Sequence, residues 1–286
     1  MLADMRKVAL VTGAGSGFGL LTALLLAEKG WVVYAGLRDS SRGEGLMEEA
    51  QKRGVANRVV TLQLDVTDSE QIAQAVETIR EAQGRLDALV NNAGFAAGGF
   101  VEDVPLERWR EQFETNVFGL VAMTKAVLPM MRAQRSGRIV LISSVSGRVG
   151  FPALAPYVAS KHAVEGFGET LRLELAGFGI GVSLIEAGPY RTAIWRKSID
   201  ALREPSADSA YRGYYARLKP IFEHTAESGG DPAHVAQSIW RAISDGKPKL
   251  RYLPTSSEKK TLRAKQWLPW GFIERMALKA MGVKRP

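Results

Sequence analysis

The first two thirds of the chain alternate short β-branched runs with longer amphipathic stretches, and this alternation limits the fold more than any other feature. Buried parallel strands are short apolar runs, and a helix crosses one face of the sheet between consecutive strands. The runs that predict strands are Val8–Thr12, Val32–Ala35, Val59–Asp65, Ala88–Asn91, Ile139–Ser143 and Val182–Glu186, with Lys249–Leu253 as a candidate seventh. The stretches that predict helices are Leu20–Lys29, Glu44–Arg53, Ser69–Gln83, Leu106–Gln134 and Tyr157–Ala176. We therefore expect an α/β fold, a doubly wound parallel sheet of about seven strands with helices on both faces.

Composition excludes several classes of site. Neither an internal repeat nor a low-complexity linker interrupts the 286 residues, so a single domain, residues 1–286, is predicted. The chain has no cysteine, which excludes a disulfide framework, a zinc–thiolate site and a cysteine nucleophile. The histidines His162, His224 and His234 have no metal-ligand spacing, and no metal site is expected. No apolar run is long enough for a membrane span or a signal peptide, which predicts a cytoplasmic protein.

A glycine-rich turn, Thr12-Gly13-Ala14-Gly15-Ser16-Gly17-Phe18-Gly19, follows the first predicted strand. It departs from the strict G-x-G-x-x-G spacing because Phe18 stands where the last glycine is required. Gly13, Gly17 and Gly19 instead fit T-G-x-x-x-G-x-G. Glycines allow a tight turn and let a pyrophosphate approach the N-terminus of the next helix. The position of the turn between a strand and a helix therefore predicts a dinucleotide site.

Two further motifs follow at fixed places in the strand–helix pattern. Asn91-Asn92-Ala93-Gly94 comes at the end of the fourth predicted strand, and Tyr157-Val158-Ala159-Ser160-Lys161 opens the helix after the fifth. With the glycine turn, in this order and spacing, the chain resembles the short-chain dehydrogenase/reductase family over about residues 5–192. It looks most like the branch of 17β-hydroxysteroid dehydrogenases, retinol dehydrogenases and bacterial NADP-dependent aldehyde reductases. The stretches that carry this likeness are Leu37-Arg38-Asp39, Leu62-Gln63-Leu64-Asp65-Val66 and Ser183-Leu184-Ile185-Glu186. The resemblance implies a single Rossmann-type domain.

Tyr157 and Lys161 lie four residues apart, so they share one face of the predicted helix. An ammonium near a phenol stabilises the phenolate and lowers its pKa from about 10, so the pair can exchange a proton with a carbonyl oxygen. In the family the tyrosine is the acid/base, the lysine also binds the nicotinamide ribose, and a serine thirteen residues earlier binds the substrate oxygen. That serine is Ser144 rather than Ser143. Asn116 matches the fourth member, which kinks its helix and holds a water in the proton relay. Singly, each of these residues also fits a structural role, so the prediction depends on their combination.

The end of the second predicted strand decides which nicotinamide cofactor the resemblance implies. NAD-selective members carry an acid there for the adenosine ribose, whereas this chain has Leu37 followed by Arg38. An arginine can pair with a 2′-phosphate, so NADP(H) is expected, while the neighbouring Asp39 leaves NAD open. The residues expected to bind the cofactor are Gly13, Ser16, Gly17, Phe18, Gly19, Arg38, Asp65, Val66, Asn92, Tyr157, Lys161, Gly188, Tyr190 and Thr192. After the sixth strand the family's Pro-Gly-x-x-x-Thr begins with Ala187 here, which loosens that turn without removing a catalytic group.

Residues 188–230 lack a clear strand and are rich in aromatic side chains. They follow the carboxyl end of the sixth strand, where open α/β sheets bind ligands, so a substrate-covering lid is predicted; the alternative is a helical hairpin on the surface. The residues expected to contact substrate are Phe95, Ser144, Ser146, Phe151, Leu154, Tyr157, Tyr190 and Trp195. This apolar set predicts a hydrophobic aldehyde, ketone or alcohol, although Arg191 and Arg196 leave an acidic substrate open.

The C-terminal extension, residues 254–286, is basic and aromatic. Between Lys247 and Arg285 there are eleven Lys or Arg residues against two acids, and Trp267–Ile273 holds two tryptophans and a phenylalanine. The charge fits a solvated tail, an anionic membrane surface or a polyanionic partner. The aromatic segment could pack on the body, extend the pocket or rest on a membrane. Nucleic-acid binding would explain only this extension and is not expected.

The main functional prediction is an NADPH-dependent carbonyl reductase that interconverts a hydrophobic carbonyl compound and its alcohol. The rival predictions are an NAD-linked hydroxysteroid- or retinol-type alcohol dehydrogenase and a non-catalytic NADP(H)-sensing protein that keeps the fold. The resemblance also implies a homodimer or homotetramer formed through the Leu106–Gln134 and Tyr157–Ala176 helices.

Overall fold

The computed structural model describes residues 6–192 and 205–283, and its centre is one parallel sheet. The strands are β1 Val8–Thr12, β2 Val32–Leu37, β3 Val59–Gln63, β4 Ala88–Asn91, β5 Gly137–Ser144, β6 Ile180–Ala187 and β7 Arg251–Tyr252. Their order in space is β3-β2-β1-β4-β5-β6-β7, and every neighbouring pair is parallel. The order reverses between β1 and β4, where doubly wound sheets bind their ligands. The predicted α/β sheet of seven strands is confirmed.

Helices cover both faces of the sheet. One layer contains α1 Gly17–Glu28, α2 Arg42–Lys52 and α8 Ala233–Ser244, and the other contains α3 Ser69–Gln83, α5 Leu120–Gln134 and α6 Ala155–Leu175. The remaining helices are α4 Leu106–Phe113, α7 Arg212–Glu227, α9 Ser256–Trp267 and α10 Trp270–Met281. Alternate residues of β1 point to opposite layers, Ala9 and Val11 to the first and Val8 and Leu10 to the second. The strand is therefore apolar throughout.

The predicted helix Leu106–Gln134 is not continuous. A π-helical segment, Glu114–Gly119, separates α4 from α5. Asn116 lies in this segment and is 1% exposed, and its amide bonds to the backbone of Phe95 instead of facing water. Gly119 is needed there because a Cβ would overlap the Val66 backbone oxygen. Bonds to a distant loop thus displace the ordinary helical pattern.

The region predicted as a lid is described for residues 188–192 and 205–230. Tyr190 and Gly230 form an isolated parallel bridge, so the two ends of the region lie together. Tyr215 of α7 packs with Phe100 and Ala153, which belong to the loops after β4 and β5. Helix α7 therefore lies at the carboxyl edge of the sheet.

The C-terminal extension forms the two helices α9 and α10. Thr255 and Glu258 form a capping box at the start of α9. Buried Leu262 joins Val145 and Val149, and Met281 joins the cluster around Phe100. Both helices thus pack at the edge where β4 and β5 end. No helix in residues 6–192 or 205–283 combines the length and apolar character that crossing a bilayer requires.

Candidate active site

The glycine turn lies at the carboxyl end of β1, beside the reversal of strand order. Gly13 and Gly17 have φ of +66° and +55°, which favours glycine. A Cβ on Gly19 would overlap both the Gly13 oxygen and the Asn92 amide nitrogen. That amide donates to the Thr12 oxygen at 2.8 Å and to the Gly13 oxygen at 3.1 Å, so Asn92 holds the turn in place. The resulting cradle opens at the N-terminus of α1, where a pyrophosphate fits.

Two other predicted cofactor residues complete this turn. Ser16 precedes α1, and its side chain makes no cap hydrogen bond to the helix. Thr192 packs over Gly17, since a Cβ on that glycine would meet the Thr192 side chain at 3.6 Å. The segment after β6 therefore closes over the glycine turn.

The end of β2 carries apolar and basic side chains. Leu37 is buried, and its side chain would contact a Cβ placed on Gly15. Arg38 is exposed, and the Arg42 side chain also lies beside Gly15. The sequence prediction missed Arg42, because the only signal for it was a second arginine four residues after Arg38. Ser41 donates to the Asp39 carboxylate through its backbone N–H and its hydroxyl. These two bonds, together with the charges of Arg42 and Arg38, hold the pKa of the Asp39 carboxyl below its usual value.

Asp65 and Val66 follow the edge strand β3. The Asp65 carboxylate accepts from the Thr67 backbone and hydroxyl at 3.0 and 2.8 Å. Val66 is buried under Gly119. Strand β3 ends at Gln63, earlier than predicted, because Asp65 turns the chain toward α3.

Tyr157, Lys161 and Ser144 come together between α6 and the end of β5. The Lys161 ammonium lies 5.7 Å from the centre of the Tyr157 ring and donates to the Ile142 oxygen at 2.7 Å. The Ser144 hydroxyl bonds to the Tyr157 phenol and donates to the Ala187 oxygen at 3.0 Å. Two strand ends thus fix the serine, and one helical turn aligns the lysine with the tyrosine.

Burial changes the acidity of both groups on α6. It raises the pKa of the Tyr157 phenol, and the hydrogen bond with Ser144 acts in the opposite direction. It lowers the pKa of Lys161 to about 8, against the opposing charge of Glu165. At neutral pH the phenol therefore holds its proton and the lysine is mostly charged. This state can donate a proton to a developing alkoxide.

Asn116 links the π-helical segment to the loop after β4. Its Oδ1 accepts from the Phe95 N–H at 3.1 Å, and its Nδ2 donates to the Phe95 oxygen at 2.9 Å and the Ser160 hydroxyl at 3.3 Å. The amide therefore positions Phe95 against α6. Any part in a proton relay stays a prediction.

An open cleft joins these groups. Its lining residues are Phe18, Asn92, Gly94, Phe95, Ile142, Ser143, Tyr157, Lys161, Ala187, Gly188 and Thr192. The sequence prediction named seven of these and missed Gly94, Ile142, Ser143 and Ala187. Most of the wall is apolar, and Tyr157 and Lys161 supply the titratable groups. Such a cleft can hold a flat, partly polar group against a proton donor.

A family model described as short chain dehydrogenase matches residues 7–203. The chain belongs to the short-chain dehydrogenase family. It is therefore an oxidoreductase of a family that acts on alcohols and carbonyls with a nicotinamide cofactor, and the predicted family is confirmed.

Relatives of high similarity cover nearly the whole chain. The uncharacterized oxidoreductase YusZ of Bacillus subtilis is 44% identical, covering 96% of this chain and 99% of that protein. The NADPH-dependent 3-dehydrocapnine reductase of Ornithobacterium rhinotracheale is 36% identical, covering 86% and 87%. Human 17-beta-hydroxysteroid dehydrogenase type 1 is 38% identical, covering 87% and 78%, in agreement with the predicted branch. The structure of a family member from Burkholderia phymatum in complex with NAD has a TM-score of 0.79 at 28% identity, covering 93% and 95%.

Besides Ser144, which is buried at 4% exposure next to the cleft-lining Ser143, four residues predicted to contact substrate do not line the cleft of this short-chain dehydrogenase. Ser146 and Leu154 are buried at 3% exposure, because the 3-10 turn after β5 and the bridge to Gly99 direct them inward. Phe151 packs on the cluster around Leu262. The fourth is Tyr190, treated next; Trp195 lies outside the described residues.

Tyr190 was predicted to contact the cofactor through its backbone and the substrate through its ring, but the side chain points into the core. It is 1% exposed, its ring meets Phe18 edge-on at 5.5 Å, and its hydroxyl donates to Glu258 Oε1 at 2.6 Å. The same oxygen accepts from the Gly188 N–H at 3.2 Å. Burial and Glu258 together raise the pKa of the Tyr190 phenol. Sequence reasoning missed Glu258; its only local signal is the capping box at Thr255.

A buried cluster of charges lies behind Lys161. Arg251 Nε is 3.0 Å from Glu165 and 2.9 Å from Glu186, which lie on α6 and β6. Burial raises the pKa of Glu186, and the charge of Glu165 adds to the effect. Glu165 is one helical turn from Lys161, so its charge supports the ammonium. The sequence held no local sign of this cluster because its members lie on distant elements.

Proposed function

We propose that this protein is an NADP(H)-dependent oxidoreductase that interconverts a hydrophobic aldehyde or ketone and its alcohol, with Tyr157 as the acid/base. The observation that carries the proposal is the Tyr157 phenol, which faces the cleft beside Lys161 and bonds to Ser144. A protonated phenol at neutral pH suits reduction, since the carbonyl oxygen gains a proton.

The glycine cradle fits a dinucleotide, because Gly19 has no space for a Cβ and Gly13 and Gly17 have positive φ. Bound NADP(H) supplies or accepts the hydride. Gly13, Ser16 and Gly17 hold the pyrophosphate, while Gly188 and Thr192 lie at the nicotinamide end of the cleft. Phe18 and Asn92 line the cleft, and the buried Tyr190 packs behind Phe18. Asp65 and Val66 are the proposed contacts of the adenine.

Each side chain of the catalytic group has a distinct task in this proposal. Tyr157 donates the proton to the carbonyl oxygen or removes it from the alcohol. The Lys161 ammonium stabilises the phenolate that results and binds ribose hydroxyls. Ser144 holds the substrate oxygen beside Tyr157 by turning its hydroxyl proton from the Ala187 oxygen, to which it donates in this structure, to the substrate. Asn116 positions Phe95 and thus the wall of the cleft.

The preference for NADP(H) is supported by the end of β2. Leu37 offers no carboxylate to ribose hydroxyls, whereas Arg38 follows it with an exposed side chain and the Arg42 side chain lies beside Gly15 of the glycine turn. A guanidinium pairs well with a phosphate. The relative named for NADPH-dependent reduction agrees with this reading. The NAD-bound neighbour supports the alternative, an NAD-linked dehydrogenase of the same type.

Replacing Arg38 with alanine tests the cofactor preference. We expect kcat/KM for NADPH to fall about 10- to 100-fold, since a charge-assisted hydrogen bond contributes about 1.5–3 kcal/mol, while the value for NADH stays nearly constant. Initial rates are measured with both cofactors over aliphatic, aromatic, steroid and retinoid carbonyls. Arg53→Ala is the control, an arginine paired with Glu49 at the C-terminal end of α2, away from the glycine turn at its start. An unchanged NADPH/NADH ratio in Arg38→Ala would favour the NAD-linked alternative.

The alkaline side of the pH profile tests the role of Lys161. Reduction should lose kcat/KM for NADPH as pH rises through about 8, because that parameter follows the free enzyme and the Lys161 ammonium loses its proton there. The Glu165 carboxylate raises this pKa, so Glu165→Gln should move the midpoint to lower pH. Glu169→Gln is the control, since Glu169 also binds Arg251 but is exposed. A midpoint that stays in place in Glu165→Gln would contradict the assignment.

A homo-oligomer is also part of the proposal. Large apolar side chains are exposed along α4, the π-helical segment and α6, namely Leu106, Phe118 and Leu173. Val164 and Leu171 of α6 are buried in the core and are not free for contacts between subunits. Light scattering measures the outcome, and the mass of one chain would contradict it.

A further inference from the structure

The turn between α9 and α10 and the outer side of α10 carry large apolar side chains that face solvent. We call these residues, together with the basic side chains next to them, the apolar–basic surface. Its apolar members are Trp267, Leu268, Trp270, Phe272 and Met276. Trp267 is 81% exposed and Trp270 is 62% exposed. Contiguous exposed apolar patches are uncommon on a monomer and mark a surface that binds something.

The packing of α10 leaves this side uncovered. Ile273, Ala277 and Met281 face the body, and Met281 joins the cluster formed with α7. Phe272 and Met276 lie on the opposite side of the helix, one turn apart. Arg275 and Lys279 share that outer side and are exposed. The outer side therefore combines apolar and basic residues, as interfacial helices do.

Helix α9 adds positive charge to the same surface. Glu258 and Leu262 anchor the helix to the body, while Lys259, Lys260 and Arg263 are exposed. Residues 254–283 contain six Lys or Arg residues and two acids, and one of the acids, Glu258, is buried. Lys265 lies over the Trp270 ring at 5.9 Å, so a cation and an indole share one position at the surface. The outward charge of the segment is thus strongly positive.

The positive charge of the apolar–basic surface indicates which kind of partner it binds. A twofold contact with a second copy would bring two identical positive surfaces together, which repel. An anionic phospholipid bilayer accepts the indole rings at its interface and attracts the lysines and arginines. Helix α10 has 12 residues, about 18 Å at 1.5 Å per residue, so it can lie on a bilayer but not cross one.

The surface is joined to the cleft edge of the sheet. Glu258 of α9 binds Gly188, which lines the cleft, and Met281 of α10 packs with Phe100 after β4. We propose that the apolar–basic surface docks on an anionic phospholipid bilayer and brings the cleft to an apolar carbonyl substrate dissolved in it. The substrate part of this inference rests on the proposed function; the docking part does not.

The docking is tested with the full-length protein and vesicles of phosphatidylcholine, with or without phosphatidylglycerol. The wild type should sediment with the anionic vesicles and much less with the neutral ones, and added salt should release it. Replacing Trp267, Trp270 and Phe272 together with serine should weaken binding by at least about tenfold, because binding scales with buried apolar area. Lys259→Gln/Lys260→Gln/Arg263→Gln should weaken only the anionic component. Val60→Ser, an exposed apolar residue on edge strand β3, is the matched control and should bind as the wild type does.

Unfolding temperatures of all variants are compared first, so that a loss of binding is read only from folded protein. Equal sedimentation of the serine variant and the wild type would overturn the proposal. The proposal would also be overturned if the wild type did not bind anionic vesicles. Light scattering would then show whether this surface forms a dimer, and a binding assay whether it holds a single-stranded oligonucleotide instead.

Activity separates the two parts of the inference. With a water-soluble carbonyl, the serine variant should turn over at the wild-type rate, since none of its changed residues lines the cleft. With an apolar carbonyl held in anionic vesicles, its rate should fall with the loss of binding. Equal loss with both substrates would overturn the delivery role. Vesicle binding by a wild type that reduces no carbonyl would instead reject the proposed function and leave the docking in place.

Discussion

Tyr157→Phe should lower kcat for carbonyl reduction by about 10²- to 10⁴-fold, the usual contribution of a positioned acid or base. The change removes one oxygen and leaves the ring between α6 and the cleft. Lys161 keeps its bond to the Ile142 oxygen and Ser144 keeps its bond to the Ala187 oxygen. NADPH should therefore still bind, and its fluorescence in the complex should persist while its oxidation slows by the same factor.

The two adjacent serines at the end of β5 give a matched pair for the same assay. Ser144 bonds to the Tyr157 phenol, whereas Ser143 lines the cleft and its hydroxyl has no hydrogen-bond partner among the described residues. Ser144→Ala should lower kcat strongly, and Ser143→Ala should leave it within about twofold, because the buried Ser143 hydroxyl has no hydrogen bond to lose within the described part of the chain. Full activity in Tyr157→Phe would refute the acid/base role. Bound NADPH with no turnover of any carbonyl by the wild type would favour the sensing alternative.

The central sheet and the catalytic helix could be predicted from the sequence because local patterns determine them. Strands buried on both faces must be apolar throughout, and a tyrosine four residues before a lysine shares its helical face. The glycine turn was predictable for the same reason, since Gly13 and Gly17 require a backbone that other residues avoid.

The features that the sequence did not reveal depend on partners far along the chain. The π-helical segment exists because Asn116 bonds to Phe95, 21 residues earlier. Tyr190 turns away from the cleft because Glu258, 68 residues later, accepts its hydroxyl. Neither pairing leaves a periodic signal. Periodicity alone therefore predicted an unbroken helix through Asn116, where only the family resemblance implied a kink, and a cleft-facing ring was expected at Tyr190.

Glu258→Gln should lower the free energy of unfolding by about 2–4 kcal/mol, measured by urea denaturation. The Glu258 carboxylate accepts from the Gly188 N–H, the Tyr190 hydroxyl, and the Thr255 N–H and hydroxyl. Bonds to a buried charged group contribute about 1.5–3 kcal/mol each, and an amide cannot accept all four. Tyr190→Phe removes a single donor, so it should cost about 1–2 kcal/mol.

The same bonds give the prediction a pH signature. Burial acts to raise the pKa of Glu258, but the bonds from Thr255 and Tyr190 outweigh it and leave the pKa below its usual value. A depressed carboxyl pKa stabilises the fold above the unfolded-state pKa, and this contribution is lost as pH falls through the folded value. The stability gap between wild type and Glu258→Gln should therefore be full near neutral pH and close in acid. A gap that is constant with pH would contradict a charged Glu258.

Because Glu258 binds Gly188, which lines the cleft, Glu258→Gln should also raise the dissociation constant for NADPH, measured by titration of its fluorescence. Leu262→Ala separates this effect from a general loosening of α9. It removes buried packing against Val145 and Val149 but none of the hydrogen bonds of Glu258, so it should cost about 2–5 kcal/mol of stability with less change in NADPH affinity. If Leu262→Ala weakens NADPH binding as much as Glu258→Gln does, the packing of α9 rather than the carboxylate holds the loop after β6. If Glu258→Gln weakens NADPH binding more than Leu262→Ala does, while it costs the same stability or less, then the Glu258–Gly188 bond holds the loop after β6.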